Sequence, residues 1–81
     1  MTLTVQLFAQ ARDLAGTAAF RLELSPSPTV ADVRAALTAR EPRLNPIADS
    51  LLVAVDGEYA TNDALIPENA EVACFPPVSG G

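Results

Sequence analysis

Gly80 and Gly81 close the sequence, and an end made of two glycines has the least side-chain bulk a peptide can present. Such an end enters a slot too narrow for a Cβ. The Gly81 carboxylate has no branched neighbour to hinder an activating nucleotide or an incoming nucleophile. The chemistry it suits is activation and substitution at the main-chain carboxylate, with no side chain taking part. A frayed end or a cloning remnant is the competing explanation, and the two glycines alone leave both open.

The remaining residues supply few rivals for that role. There is no histidine, which removes the commonest general base and metal ligand. Cys74 is the single cysteine. It has no partner for an internal disulfide, for the usual zinc ligand sets, or for a Cys/His nucleophile pair, so no metal site is expected. Its neighbours in sequence include nothing basic that would lower its pKa, so it reads as a small buried hydrophobe. All five basic residues are arginines, so no side-chain amine exists to accept an isopeptide bond. An amine joined to Gly81 would belong to another protein. Four scattered or terminal glycines make no phosphate-cradling loop. The net charge of −5 argues against nucleic acid or an anionic membrane and favours a basic protein surface as partner. The chain is poorly equipped to be an enzyme alone.

Eighty-one residues, 49% of them hydrophobic, are expected to form one domain over residues 1–81. No apolar run is long enough for a membrane span, and Met1 to Val5 lacks the features of a signal peptide. A reducing, cytoplasmic setting is the expectation.

The elements that must hold the tail follow from periodicity. Thr2 to Phe8 alternates, with Leu3, Val5 and Leu7 on one face, as a half-buried strand does. Ala9 to Gly16 predicts a turn or a single helical turn. Phe20, Leu22 and Leu24 mark a second strand, paired with the first as a hairpin with a wide connection. Ser25-Pro26-Ser27-Pro28 breaks the ladder. Thr29 is a helix N-cap with Asp32 reaching back, and Val30, Val33, Ala36 and Leu37 share one face of a helix from about Val30 to Arg40, the one well-defined helix. Leu44 to Ser50 reads as irregular. Leu51 to Val55 is a strand, Asp56-Gly57 a hairpin turn, and Glu58 to Ala60 a short return. A loop over Asn62 to Pro67 is expected to bring Leu65 inward, and Glu71 to Phe75 forms the last strand. One helix packed across a mixed sheet buries all these apolar faces, which predicts an α+β roll of the β-grasp (ubiquitin-like) type. In that roll the first and last strands lie parallel side by side.

By alternation Val72 and Cys74 face the core and Phe75 faces away from it. Phe8 has the same outward parity, and Tyr59 lies on the short return. If the first and last strands are neighbours, these aromatics form an exposed apolar patch of the kind that marks a binding surface. The alternative is that their own loops cover Phe8 or Phe75. Pro76-Pro77 stiffens the exit from the sheet and prevents further pairing. Val78 to Gly81, fully extended, reach about 13–14 Å, enough to enter a partner's active site while the folded body stays outside.

Phe8-Ala9-Gln10-Ala11-Arg12-Asp13-Leu14-Ala15-Gly16 and Glu71-Val72-Ala73-Cys74-Phe75-Pro76-Pro77-Val78-Ser79-Gly80-Gly81 resemble the small, sulfur-carrying subunit of molybdopterin synthase, the MoaD family. The Phe-Pro-Pro-Val-x-Gly-Gly ending is the specific part. The resemblance implies a cycle. An E1-like enzyme adenylates the Gly81 carboxylate with ATP, a sulfur donor converts it to a thiocarboxylate, and the tail enters the large synthase subunit. There sulfur passes to cyclic pyranopterin monophosphate. It also implies a heterotetramer of two small and two large subunits, with ATP used by the activating partner and no cofactor bound by this chain. Gly80 and Gly81 are then the reacting end, and Phe75, Pro76, Pro77, Val78, Tyr59, Phe8 and Arg12 the partner-binding residues. Arg12 either pairs with an acidic residue of the partner or caps its own loop. A thiamin-type sulfur carrier, a ubiquitin-like modifier joined to target lysines through Gly81, and a binding module with an inert end remain as alternatives.

Overall fold

The computed structural model describes residues 1–77; Val78, Ser79, Gly80 and Gly81 lie outside the described residues. Strand β1, Thr2–Leu7, has the burial alternation its sequence requires, with Leu3, Val5 and Leu7 buried. It pairs antiparallel with β2, Ala19–Glu23, and parallel with β5, Val72–Phe75, where Leu7 stands opposite Cys74. Strand β3, Leu52–Val55, pairs antiparallel with β5 and with the two-residue strand β4, Glu58–Tyr59. The sheet order is β2-β1-β5-β3-β4.

Across one face lies helix α2, Val30–Arg40, with Val33 and Leu37 against the sheet and Val30 buried at its start. Its N-terminus carries the full capping box: the Asp32 N–H donates to Thr29 Oγ1 and the Thr29 N–H to Asp32 Oδ2. These contacts satisfy two backbone donors that would otherwise lack partners. A mixed sheet with a parallel pair at its centre and a helix across one face is the β-grasp roll. No helix among the described residues is long and apolar enough to cross a membrane.

Three local expectations need correction. The segment after β1 is a seven-residue α-helix, α1, Ala9–Ala15, rather than a single turn. Its N-cap, Phe8, makes no side-chain capping bond. Instead Ala11 and Ala15 are buried, Gly16 closes the end at φ 74° with its N–H on Arg12 O, and Arg43 Nη2 donates to Ala15 O from 28 residues away. That support is tertiary and leaves no trace in a short window. Likewise Pro42–Ser50 is a 3₁₀ helix, where Leu44 to Ser50 reads as irregular. Buried Leu44 and the bond from Arg34 Nη1 to Ala48 O hold it despite Pro46. Finally, Ile66 is buried and Leu65 is 66% exposed, the reverse of the expected inward Leu65. The Ile66 N–H bonds Pro28 O, and Leu65 bridges Thr29 at the edge of that turn.

Arg43 also clamps Glu41 bidentately, with Nε at 2.9 Å from one carboxylate oxygen and Nη2 at 2.8 Å from the other. The side-chain hydrogen bonds from Arg43, aided by its N–H and its charge, lower the Glu41 pKa from 4.5 to about 2. A carboxyl depressed in the folded state stabilises the fold above its unfolded pKa, and that contribution is lost as pH falls through the folded value. Acid titration of stability is therefore expected to show a decline between pH 4.5 and about 2 that Glu41→Gln flattens. An unchanged acid slope in that variant, followed by circular dichroism, would remove the pair from the account of acid sensitivity.

Candidate functional site

Among the described residues no element packs over the face of the sheet opposite α2, and its side chains follow from strand register. Period two sends Gln6 of β1, Ala73 and Phe75 of β5, Leu52 and Ala54 of β3 and Tyr59 of β4 to this side. Leu52 stands opposite Phe75, and Ala54 stands between Ala73 and Tyr59. Two small side chains thus make a floor, and larger ones stand around it.

Phe75 is the hub of the wall. Its ring centroid lies 6.0 Å from that of Phe8 at a tilt of 59°, and 5.7 Å from that of Tyr59 in an edge-on arrangement. Both are preferred geometries for aromatic pairs. Phe8 is 43% exposed and Tyr59 69%, whereas Phe75 between them is half-buried. Phe8 takes its place from the backbone: its N–H donates to Cys74 O at 3.1 Å and its own carbonyl accepts from Ala11, so it joins the end of β1 to α1. Tyr59 is aimed by the tight Asp56-Gly57 turn. Together with Gln6, Gly57, Glu71 and the floor alanines, the rings line a shallow groove of about 360 Å³. Its aromatic end is where β5 runs out into Pro76, half-buried, and Pro77, exposed.

Of the residues singled out from sequence, Phe8, Tyr59 and Phe75 form one contiguous cluster, and Pro76 and Pro77 lead away from it. Arg12 stands apart on α1, exposed, and its guanidinium makes no hydrogen bond or ion pair within the described residues. The α1 terminus is closed by Gly16 and Arg43 rather than by the Arg12 side chain. Val78, Gly80 and Gly81 lie outside the described residues. Sequence reading missed the floor. Ala54 sits in an apolar run, Leu51 to Val55, that looks uniformly buried, and only its pairing with Ala73 and Tyr59 shows that it supports an outward surface.

Cys74 lies on the other side of β5, buried in the core. Burial pushes its thiol from 9.0 up to about 11, against a small opposing effect of Arg34. A buried thiol raised in this way has little thiolate at neutral pH, which disfavours nucleophilic chemistry at Cys74 in the folded chain. Alkylation at pH 8 is expected to proceed only as fast as the protein unfolds. Rapid labelling under native conditions, followed by mass, would contradict the buried assignment.

The ThiS family model matches residues 5–81. The molybdopterin synthase sulfur carrier subunit of Arabidopsis thaliana is 32% identical over 79 residues, covering 98% of this chain and 82% of that protein. Its namesake from Drosophila yakuba is 35% identical over 80 residues, with 95% and 88% covered. Among solved structures, SAMP1 from Haloferax volcanii superposes with a TM-score of 0.89 at 30% identity over the whole of both chains. A likeness of fold alone extends to the complex of subunits 1 and 2 of molybdopterin-converting factor from Helicobacter pylori, at TM-score 0.70, 16% identity and full coverage of both chains. With outward aromatics at the foot of a Pro-Pro exit and kinship over nearly the full length, the chain belongs to the ThiS family and, within it, to the molybdopterin synthase sulfur carrier subunits.

Proposed function

We propose that this sulfur carrier is loaded at the Gly81 carboxylate and delivers its sulfur inside the large subunit of a cytoplasmic molybdopterin synthase. A carboxylate is a poor electrophile until a leaving group is attached, so an ATP-using, E1-like partner forms the acyl-adenylate. A sulfur donor then displaces AMP and leaves a thiocarboxylate. The sulfur passes to cyclic pyranopterin monophosphate, and two carriers and two large subunits make the working assembly. The observation that supports this most is the Phe8–Phe75–Tyr59 cluster at the base of the segment leading to Gly81. It lets a partner hold the folded body while four further residues extend into its active site. Arg12 is available to an acidic group of the same partner.

Co-expression with the activating enzyme and a sulfur source is expected to shift the intact mass by the exchange of one oxygen for one sulfur, mapped to Gly81. A second reading has one observation in its favour: the likeness to SAMP1, a small archaeal modifier protein, at 30% identity. Under that reading Gly81 is joined to lysines of other proteins, since this chain contains none. An unmodified carboxylate together with high-mass adducts on lysines elsewhere would replace the carrier reading with this one.

A further inference from the structure

The groove beneath the aromatic cluster has two chemically different ends. At the tail end stand Phe8, Phe75 and Tyr59. At the other end stands Glu71, the residue just before the final strand, and in the middle Ala54 and Ala73 leave room where larger side chains would fill the face. Glu71 is held in place by its backbone: its N–H donates to Asp56 Oδ1 at 2.9 Å and its carbonyl accepts from the Asp56 N–H at 2.8 Å. Two carboxylates thereby stand at one corner of the sheet, that of Asp56 bound to the Glu71 N–H. Neither forms an ion pair among the described residues, where the one such pair is Arg43–Glu41. The remaining arginines are committed elsewhere or stand apart. Arg34 bonds Asn62 and Ala48, and Arg40 bonds Arg21 O and stacks on Phe20. Arg21 lies on β2, with Thr4 of β1 between it and Glu71.

We propose that the groove takes a protein segment of defined polarity: an apolar side chain seated over Ala54 and Ala73 against Phe75, and an arginine or lysine reaching Glu71 at the end away from the tail. This rests on the docking reading above and specifies the chemistry of the partner at that face. Four residue steps lead from Glu71 to Phe75, so the cation sits about 13 Å behind the point where the tail leaves the body. The small floor sets how deep the apolar side chain goes, and the charge sets the direction in which the segment lies. A basic partner segment complements both the Glu71 corner and the net charge of −5. A flat apolar surface lacking the cation would bind in either direction and would not present its active site to the tail.

The test measures binding of the purified large synthase subunit to four full-length forms of this chain: wild type, Phe75→Ala, Ala73→Leu and Glu71→Arg. Thermal unfolding of each confirms that the outward substitutions leave the fold intact. Wild-type affinity is expected to fall with added salt. Glu71→Arg should weaken binding about three- to tenfold at low salt and abolish most of that salt dependence. Ala73→Leu, which fills the floor, should weaken it about thirtyfold at any salt concentration. If Glu71→Arg and Ala73→Leu bind like wild type while Phe75→Ala does not, the polarity assignment is overturned and the docking face stands. If Phe75→Ala also binds like wild type, the docking face fails and the inference fails with it.

Discussion

Deletion of Gly81 is expected to abolish molybdopterin formation while leaving both the unfolding midpoint and the affinity for the large subunit within error of wild type. The separation follows from where the stabilising contacts lie. Among the described residues, every buried apolar side chain of the core belongs to residues 3–74, from Leu3 to Cys74. The aromatic face is complete at Phe75, and the exit stiffens at Pro76-Pro77. The core and the groove walls of the described residues are thus complete without the last residue. What its deletion removes is reach: the carboxylate moves back by about 3.3–3.6 Å, onto a single glycine that directly follows Ser79. Misplacement of a reacting group by that much is enough to cost orders of magnitude in rate, because catalysis depends on near-contact geometry. The readouts are product formation in the reconstituted synthase, calorimetric binding and thermal unfolding. A fall in stability would tie the tail to the fold and undo the division between body and working end. Retained activity would take the chemistry away from Gly81.

Legibility in the sequence follows the range of the interactions involved. Short-range signals translate directly. Thr29 and Asp32 cap each other three residues apart, Asp56-Gly57 turns the β3–β4 hairpin, and the alternation from Thr2 to Leu7 becomes a strand buried on one face. The parallel pairing of β1 with β5 was accessible only through the architecture that one helix and a mixed sheet demand. Helix α1 escaped because its support comes from Arg43 on Ala15 O and from burial of Ala11 and Ala15, all set by distant segments. The 3₁₀ helix escaped for the same reason, with Arg34 holding Ala48 O. At the candidate site, aromatics with outward parity announce themselves, because exposed Phe and Tyr on strands are conspicuous. Alanines do not. Ala54 and Ala73 acquire meaning only when register places them together between larger neighbours.

Leu7 and Phe8 are adjacent in sequence and are expected to respond to truncation in opposite ways. Leu7 closes β1 on the core side, fully buried and directly opposite Cys74, with its N–H on Ala18 O. Its replacement by alanine leaves a cavity that the packed sheet and helices cannot fill, at a cost of about 2–5 kcal/mol. An 81-residue domain has a total of about 4–12 kcal/mol, so Leu7→Ala is expected to bring the chain near its unfolding threshold. Phe8 turns the other way. At 43% exposure it gives up one tilted contact with Phe75 and only part of the burial that Leu7 loses, so truncation should cost clearly less stability than Leu7→Ala. Binding is where its loss should register. Anchoring aromatics at the centre of an interface carry a large share of its energy, and Phe8→Ala is expected to weaken large-subunit affinity at least tenfold. Denaturant unfolding and calorimetry on the two variants separate the roles. If Phe8→Ala unfolds as readily as Leu7→Ala, Phe8 belongs to the core and its exposed ring does not define a docking face. If it is stable and binds normally, the interface must lie on another surface of the roll. Opposite behaviour of two neighbouring residues would follow from a strand end whose one side holds the fold while the other carries the proposed docking face.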